Sequence, residues 1–439
     1  MINGEPVSIT LTEWQRLGPD NCPVLAGRFL QTSKSTQSIA DALTKQGMVG
    51  LTELRQGLEI NANSHVGRVR VGDLTITIMP KLRGSPLLNL FSYAFGFRRL
   101  IQLSHTSHSI EQYGIEELLI SQLHAEVAEL HARGLLRAYI PTNEQLSSPR
   151  GRIDINRYAL AGGQLSATLP CRHHPRVEDT LLNQVLVAGL RLAASLATDF
   201  ALRRDSYRLA ALLDEQISSI NLSWAVFERV ARQMSRLTRA YAPAMSIIRM
   251  LFDGCGVALE GQATNVGLPG FLFDMNSFFQ SLLSRFLREN VRDFTVCDEH
   301  RLRGMMRYNP QFNPRGRSSP TPRPDYAILK QRDVVSLVDA KYRDLWETQL
   351  PREMLYQLVV YAISHRQRPQ SIILYPTMDA RAKEARIDVT DALFGKHLGQ
   401  VCLRPVLLPK IEQLVRDKMS QASRERADYA HGLVFGTPL

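Results

Sequence analysis

The chain has 439 residues, which is too long for one ordinary hydrophobic core and indicates two or three domains. Hydrophobic residues make up 44% of the chain and charged residues 22%, a composition typical of a folded globular protein and not of a disordered one. The formal net charge of +11 favours a polyanionic partner, either nucleic acid or an anionic membrane surface.

The sequence gives little support for association with a membrane. No apolar run approaches the roughly 18–20 residues that a spanning helix needs, and the first residues have neither the basic segment nor the apolar segment of a signal peptide. An odd number of scattered cysteines without a CxxC pair fits free thiols in a reducing cytoplasm better than a disulfide framework. These cysteines are Cys22, Cys171, Cys255, Cys297 and Cys402. We therefore expect a cytoplasmic protein with no membrane partner.

The first hundred residues are predicted to be mainly β-structure. The clearest segment is residues 67–79, where apolar and polar residues alternate on both sides of Gly72-Asp73. Such alternation is typical of a hairpin or a bulged strand pair, and Pro80 ends the second strand. A helical pattern follows from about Ile115 to Tyr139. We take residues 1–147 as a β-rich and helical first domain.

The middle of the chain is predicted to be mostly helical. The turn-rich stretch Ser147–Arg152 marks its start, and apolar residues recur at helical spacing from Glu178 to about Phe200 and from Ser223 to about Thr238. We take residues 148–265 as this region. The pair His173-His174 is a weak candidate for a metal site, because neighbouring residues seldom converge on one ion. A surface loop is the better interpretation of the pair.

Residues 266–439 alternate helices and strands, which predicts a third, α/β domain. Its predicted elements are a helix at Asn276–Asn290, strands at Phe294–Cys297, Pro324–Leu329 and Val334–Tyr342, a helix at Pro351–His365, strands at Ser371–Pro376 and Val401–Leu408, and a helix at Ile411–Ala427. The predicted fold class is therefore α/β and α+β, in several domains.

Two strands of this domain carry the residues that indicate chemistry. A hairpin that folds about Arg332 places Asp325 opposite Asp339, because the two positions are equidistant from that residue. Residues two apart on a strand share a face, so Lys341 points the same way as Asp339. Two carboxylates and one ammonium group therefore converge on one patch of the sheet.

Two adjacent carboxylates repel each other unless a cation lies between them. Mg²⁺ prefers oxygen ligands, and it is predicted to take Asp325, Asp339 and the main-chain carbonyl of Ala340. The metal would polarise a phosphate and help to form a hydroxide nucleophile, while Lys341 would orient the water or stabilise charge on the phosphate. The competing interpretation is a solvated Asp339–Lys341 pair. It is disfavoured because the pair continues an apolar stripe, where charges are costly unless paired or functional.

Two neighbouring features add to the predicted site. Gln357 and Tyr361 lie four residues apart on the next helix and so share a face, although a surface polar pair would look the same. The loop Arg301–Arg323 contains no acidic residue and is predicted to grip phosphates, with a merely flexible basic loop as the alternative. Its arginines are Arg301, Arg303, Arg307, Arg315, Arg317 and Arg323.

Short motifs in a fixed order resemble those of the McrC family, the nuclease subunit of modification-dependent restriction systems. They are residues 71–81 (VGDLTITIMPK), 150–154 (RGRID), 178–183 (EDTLLN), 273–276 (FDMN), 324–325 (PD), 339–342 (DAKY) and 356–357 (YQ). The spacing of Gln357 and Tyr361 is also similar to the QxxxY motif of RecB-like nucleases. Each motif is short, but their order along one chain is specific.

The resemblance implies a PD-(D/E)xK, restriction-endonuclease-like domain over residues 266–439, with Asp325, Asp339, Lys341, Gln357 and Tyr361 as its catalytic residues. It also implies a partner, a ring of a McrB-type AAA+ GTPase that recognises modified double-stranded DNA, and docking through residues 1–147. We find no GxxxxGK[ST] phosphate loop, so this chain itself is expected to bind no nucleotide.

One position departs from the family pattern. The helix after residues 273–276 usually offers a glutamate, and here the position is Gln280. An amide is a weaker metal ligand than a carboxylate, so this departure implies either the loss of a second metal ion or a preference for Mn²⁺ over Mg²⁺. Our first hypothesis is a Mg²⁺-dependent endonuclease that is activated by the GTPase and stimulates it. The second is an adaptor with a nuclease fold that binds DNA and activates the GTPase without cutting. A third, weaker hypothesis is a basic DNA-binding protein without a motor partner.

Overall fold

The computed structural model describes residues 7–30, 34–97, 114–160, 167–255, 270–365, 369–417 and 420–436. The chain folds into two compact units. The first draws its described residues from 7–97 and 272–436, and the second from 114–255 and 270–271. Both units combine helices and strands, so the predicted mixed α/β multidomain architecture is confirmed at this level. The division into three regions at residues 147 and 265 stays a prediction.

The N-terminal part of the first unit is mainly β-structure. Its elements are β1 (Val7–Thr12), β2 (Arg16–Leu17), a 3₁₀ turn (Pro23–Leu25), α1 (Lys34–Lys45), β3 (Val49–Leu54), β4 (Gly57–Ala62), β5 (His65–Val71), β6 (Leu74–Met79) and α2 (Gly84–Phe95). The predicted hairpin is β5 and β6, in which Val71 pairs with Leu74 around Gly72-Asp73. Gly72 takes φ 64° in this turn, a conformation that favours glycine.

The second unit is mainly helical. Its elements are α3 (Ile115–Arg133), β7 (Ala138–Tyr139), β8 (Thr142–Leu146), β9 (Arg152–Ile153), α4 (Ile155–Leu160), β10 (Leu169–His173), β11 (Arg176–Val177), α5 (Leu181–Leu196), α6 (Phe200–Asp214), α7 (Trp224–Gln233), a 3₁₀ turn (Arg239–Tyr241) and α8 (Ala242–Cys255). The helix predicted to reach Tyr139 ends at Arg133, because Gly134 turns the chain with φ 90°. The short strands form a three-stranded sheet, β8-β10-β9, and a two-stranded sheet, β11-β7.

The remaining elements run from β12 to the end of the described chain. They are β12 (Gly270–Asp274), α9 (Met275–Asn290), β13 (Thr295–Asp298), a 3₁₀ turn (Pro310–Phe312), β14 (Tyr326–Lys330), β15 (Asp333–Ala340), α10 (Arg352–Ser364), β16 (Gln370–Thr377), β17 (Ala385–Thr390), β18 (His397–Leu407), α11 (Leu408–Arg416) and α12 (Ser420–Phe435). β1, β6, β5 and β12 form one sheet in that order, which we call the N-terminal sheet.

Six strands form the sheet that carries the predicted site, here called the C-terminal sheet. Its order is β13-β14-β15-β16-β18-β17. β15, β16 and β18 are parallel, and the pairs at the two edges are antiparallel. α10 connects β15 to β16, as parallel strands require a crossover, and its Leu358 and Tyr361 pack into a core with Leu337 and Ile373. This packing fixes α10 against the face of β15 that carries Leu337 and Asp339.

Helix α9 buries one apolar face. Asp274 caps its start by accepting a hydrogen bond from the amide of Asn276 at 2.9 Å, as expected for an aspartate at this position. Phe278 stacks on Phe91 of α2 with ring centroids 4.3 Å apart. Helices from the N-terminal and C-terminal parts of the chain therefore share one core within the first unit.

Candidate active site

The β14–β15 hairpin has the predicted register near the site. Tyr326 pairs with Val338, and continuing this register by one residue places Asp325 opposite Asp339. The register shifts at a bulge between Ile328 and Leu329, so the turn closes with Gln331 at φ 59°. The bulge lies away from Asp325, and the prediction that the two aspartates face each other across the hairpin holds.

The three charged side chains meet at the end of β15. The ammonium nitrogen of Lys341 lies 2.9 Å from Oδ2 of Asp339 and 3.4 Å from Oδ2 of Asp325. The amide of Ala340 donates a hydrogen bond to the same Asp325 oxygen at 2.8 Å. Because the N–H and C=O of one strand residue point to the same side, the carbonyl of Ala340 also faces the side of Asp325.

Burial makes the electrostatics of this cluster unusual. Asp339 is 2% exposed, and its burial, together with the nearby Asp325 carboxylate, raises its pKa to about 6 although Lys341 opposes the shift. Burial lowers the pKa of Lys341, but the two carboxylates outweigh it and the net shift is upward. Oδ1 of Asp339 is buried and has no hydrogen-bond partner within the described part of the chain. A buried carboxylate oxygen without a donor is an incomplete arrangement.

The donor set fits a small divalent cation. Two carboxylates and a main-chain carbonyl are oxygen ligands of the kind that Mg²⁺ takes, with water completing the shell, and the free Oδ1 of Asp339 gives one ligand atom. Among the described residues no cluster contains three Asp, Glu, His or Cys side chains suited to a metal. Any ion held here would therefore depend on Asp325, Asp339 and water, with the Ala340 carbonyl as the main-chain ligand.

Gln357 and Tyr361 lie one turn apart on α10, as predicted. Nε2 of Gln357 donates to the phenol oxygen of Tyr361 at 2.6 Å. Tyr361 is buried, and burial raises the pKa of its hydroxyl, with smaller contributions in the same direction from Asp339 and Asp325. Tyr361 is thus within electrostatic reach of both carboxylates, whereas Gln357 is exposed to solvent.

A polar cleft of about 570 Å³ opens beside Asp325. Its lining comes from α9, from the ends of β13 and β14, and from Ala94: Gln280, Ser281, Ser284, Arg285, Arg288, Glu289, Asp298, Glu299, Asp325 and Tyr326. The hydroxyl of Tyr326 donates to the main-chain carbonyl of Gln280 at 2.6 Å. The glutamine that replaces the expected glutamate therefore lies in the same cleft as Asp325.

The arginine loop begins and ends beside the site. The amide of Glu299 donates to the carbonyl of Asp325 at 2.9 Å. The loop that follows Glu299 ends at Arg323, two residues before Asp325. All six of its arginines are exposed, and Arg323 lies 3.8 Å from the carboxylate of Glu299. Phe312, on the same loop, is 76% exposed. The two ends of the loop thus lie beside Asp325, and Arg323 is the arginine whose contact with this region is defined.

The histidine pair of the second unit lies apart from this cluster in sequence and belongs to a different sheet. His173 ends β10, and its Nε2 lies 3.0 Å from a carboxylate oxygen of Glu144 on β8. The described residues around it supply no third ligand that would complete a metal site.

The sequence did not indicate which residues hold Tyr342, the neighbour of Lys341. Its hydroxyl contacts Glu13 at 3.0 Å, and its amide donates to Asn276 at 3.2 Å. Asn276 lies in a motif that could be noticed (residues 273–276), but Glu13 follows an ordinary strand and carries no signal of its own.

No helix in the described segments has the length and apolar character needed to cross a membrane.

Comparison with known proteins gives one family. The model of the McrBC 5-methylcytosine restriction system component family matches residues 60–376, which is more than half of the chain. A search of the curated proteins finds no match. Among solved structures, the chain is similar to one in a half-complex from the tetradecameric assembly of Thermococcus gammatolerans McrB AAA+ hexamers with bound McrC. The identity is 19% and the TM-score 0.61, with 96% of this chain and 98% of that chain covered.

A second match is to a chain of the Thermococcus gammatolerans McrBC complex, at 20% identity and a TM-score of 0.43, over 65% of this chain and 88% of that chain. At these identities the first similarity shows a shared fold.

Proposed function

The chain belongs to the McrBC 5-methylcytosine restriction system component family, and we propose that it is the metal-dependent DNA endonuclease subunit of such a system. Its partner would be a McrB-type AAA+ GTPase ring, which activates it and is stimulated by it. The observation that carries the proposal is the cluster of Asp325, Asp339 and Lys341, in which two carboxylates and one ammonium group meet at the end of one strand.

The order of elements around this cluster supports a PD-(D/E)xK nuclease domain. A helix (α9), three antiparallel strands (β13, β14 and β15), a crossover helix (α10) and a further parallel strand (β16) follow one another, and the β14–β15 hairpin brings the two aspartates together. The lysine stands two residues after the second aspartate, on the same face of the strand. The resemblance to the catalytic motif of the McrC family and the geometry of the cluster thus point to the same residues.

Asp325, Asp339 and the carbonyl of Ala340 would hold the metal. A bound Mg²⁺ supplies polarisation of the phosphate and activation of water. The phosphate of the substrate would then offer Lys341 an acceptor besides the aspartates. The ammonium group of Lys341 would stabilise the charge that develops on the phosphate oxygens. Tyr361 is buried in the core with Leu337 of β15, and Gln357 donates a hydrogen bond to its hydroxyl.

The arginine loop would hold the DNA. Its exposed guanidinium groups lie on a segment whose two ends meet at Asp325, so phosphates bound there would be neighbours of the scissile bond. Contacts of this kind position the backbone without reading the sequence of bases. The excess positive charge of the chain is consistent with such a partner.

The experiment is cleavage of modified plasmid DNA with the AAA+ partner and GTP present, in Mg²⁺ and separately in Mn²⁺. Asp339→Ala and Lys341→Ala should each reduce cleavage on the order of 10²-fold or more, as the loss of a group that stabilises a transition state does. Asp333→Ala is the matched control, because Asp333 is an exposed aspartate at the other end of β15. Equal cutting by all four proteins would assign the nuclease to another site.

One observation supports a second candidate function, that of an adaptor that does not cut DNA. Gln280 lies in the cleft of Asp325 where the family pattern offers a glutamate, and an amide is a weaker metal ligand than a carboxylate. An adaptor that binds DNA and stimulates the GTPase without cutting would result if the metal were not held. Stimulation of the partner by wild type, Asp339→Ala and Lys341→Ala, with no cutting by any of them, is the result that selects the adaptor.

A further inference from the structure

The residue after Lys341 is fixed from two directions. The hydroxyl of Tyr342 donates to Oε1 of Glu13 at 3.0 Å, and its amide donates to Oδ1 of Asn276 at 3.2 Å. The side chain is 4% exposed and packs edge-on against Phe279, with ring centroids 5.9 Å apart. Tyr342 therefore has little freedom to move while these contacts persist.

Beyond the end of β15, these contacts hold the chain in place of the hydrogen bonds between strands. The last ladder bond runs from the amide of Lys341 to the carbonyl of Leu374 at 3.0 Å. Two residues later on β16 stands Pro376, which has no N–H to donate. The carbonyl of Lys341 instead accepts from the amide of Arg343 at 2.9 Å, so the chain turns away from the sheet. The position of Lys341 then depends on what holds Tyr342.

Glu13, which accepts the hydrogen bond from the hydroxyl of Tyr342, is a buried carboxylate. It follows β1, is 2% exposed, and its Oε1 accepts a second hydrogen bond from the amide of Lys81 at 2.6 Å. Its Oε2 is buried and has no hydrogen-bond partner among the described residues. Burying a carboxylate costs free energy that two hydrogen bonds only partly return. A polar group kept at such a cost fits a role beyond stability.

The contact between the amide of Tyr342 and Asn276 is also connected to the N-terminal strands. Nδ2 of Asn276 donates to Oγ of Ser64 at 2.7 Å, and the amide of Met275 donates to the carbonyl of Ser64 at 2.9 Å. Ser64 lies between β4 and β5 and is 5% exposed. Both contacts to Tyr342 therefore end on segments that connect strands of the N-terminal part of the first unit.

We propose that Glu13 is a positioning residue for the nuclease reaction: through the hydroxyl of Tyr342 it sets the position of Lys341 against Asp325 and Asp339. The inference rests on the proposed endonuclease function. It assigns to the N-terminal strands a direct part in building the site. A displacement of about 1 Å at a reacting group can cost on the order of 10²-fold in rate, so a contact one residue away from Lys341 is close enough to matter.

The test compares four variants in the full chain with the AAA+ partner, GTP and Mg²⁺ present. Glu13→Ala removes the acceptor, Tyr342→Phe removes only the donor hydroxyl, and Glu13→Gln keeps an oxygen at the acceptor position. Glu412→Ala is the matched control. Its carboxylate is also buried and also joins the N-terminal and C-terminal parts of the unit, by accepting from Asn89 at 2.7 Å, but it lies far along the chain from β15.

Two readouts are needed. The first is the single-turnover cleavage rate at saturating DNA, with DNA affinity measured separately. The second is amide hydrogen exchange of the peptide 340–346, which reports how firmly hydrogen bonds hold the end of the strand and does not depend on catalysis. Glu13→Ala and Tyr342→Phe should lower the cleavage rate roughly 10-fold to 100-fold, leave DNA affinity within about 2-fold, and speed exchange in 340–346. Glu13→Gln should stay close to wild type in both readouts, and Glu412→Ala should leave exchange in 340–346 unchanged.

The outcomes separate the inference from the function on which it rests. If wild type does not cut, the proposed function fails, and faster exchange of 340–346 in Glu13→Ala and Tyr342→Phe still supports positioning by Glu13. If wild type cuts and both variants cut equally fast with unchanged exchange, the positioning role is overturned. Should Glu13→Ala not fold, Tyr342→Phe decides alone, because it removes a single oxygen atom.

Discussion

Lys341 and Asp339 form a contact of 2.9 Å between Nζ and Oδ2 inside a cluster where the aspartate is almost fully buried. The lysine stands between two carboxylates that would otherwise repel each other. In the protein without metal, Lys341 therefore supplies the positive charge that the carboxylates require. A divalent cation at the same carboxylates would compete with it.

Replacing Lys341 by methionine should expose this competition. Without the ammonium group the buried carboxylates lack a partner, so the metal-free protein should lose about 1–3 kcal/mol of unfolding free energy. Mg²⁺ or Mn²⁺ should restore stability and bind more tightly than to wild type, because no ammonium group has to be displaced. Thermal unfolding in EDTA and in a metal titration measures both effects.

The control for this prediction is Lys330→Met, which removes an exposed lysine at the other end of the same hairpin. It should change neither stability nor metal affinity noticeably. A Lys341→Met protein that metal fails to stabilise would argue against Asp325 and Asp339 as ligands.

Glu13 should make stability depend on pH. Burial raises the pKa of its carboxyl to about 7 from a value near 4.5, despite the hydrogen bonds from Lys81 and Tyr342 and the charge of Lys81. Since the folded-state pKa lies above the unfolded-state value, the folded chain binds the proton more tightly. This group's contribution is therefore present below about pH 4.5 and is lost as the pH rises through about 7.

Glu13→Gln removes that titration. The difference in unfolding free energy between Glu13→Gln and wild type should grow in favour of the variant between about pH 4.5 and 7, by on the order of 3 kcal/mol. Denaturant unfolding of both proteins across this range measures the difference, in which other titrating groups such as Asp339 cancel. A difference that does not change with pH would mean that Glu13 is ionised in the fold throughout.

Local pattern was enough to predict the centre of the site. The alternation of side chains along a strand and the distance to a turn set the register of a hairpin, so Asp325, Asp339 and Lys341 could be placed together from spacing alone. The Gly72-Asp73 hairpin followed for the same reason. The bulge between Ile328 and Leu329 was not predicted, but it shifts only the pairing near the turn.

Contacts between distant parts of the chain could not be predicted in this way. Glu13 and Tyr342 are 329 positions apart, and Ser64 and Asn276 are 212 positions apart, so no periodic pattern connects them. Some local signals were also missed. The segment interpreted as one helix from Glu178 to Phe200 contains the end of α5 and the start of α6, where Asp199 caps the new helix by accepting from Leu202 at 2.7 Å.

The arginine loop should dominate the salt dependence of DNA binding. Replacing Arg303, Arg307, Arg315 and Arg317 by serine should weaken binding and reduce the slope of log affinity against log salt by about 0.9 for each phosphate that the variant no longer neutralises. Fluorescence anisotropy with labelled duplexes at several salt concentrations gives this slope. The affinity should fall by a similar factor for modified and unmodified duplexes, because arginines bound to phosphates do not read bases.

An equal change of charge elsewhere serves as the control. Arg204, Arg208, Arg232 and Arg236 are exposed arginines of the second unit, and their replacement by serine removes the same charge. If that variant flattens the salt slope as much as the loop variant does, DNA is attracted by the overall charge of the protein and the loop has no special part.

Gln280→Glu should strengthen the metal site. Gln280 and Asp325 line the same cleft, so the substitution adds a carboxylate on the side of Asp325 that faces α9. Magnesium affinity should rise because Mg²⁺ prefers charged oxygen ligands to an amide, and cleavage in Mg²⁺ should rise with it. Isothermal titration calorimetry and plasmid cleavage measure the two effects.

Ser284→Glu is the control for this prediction. It places a carboxylate in the same cleft, one helical turn after position 280 and beside Asp298. If Ser284→Glu raises affinity as much as Gln280→Glu, the gain reflects negative charge in the cleft; a gain confined to position 280 assigns that residue to the metal.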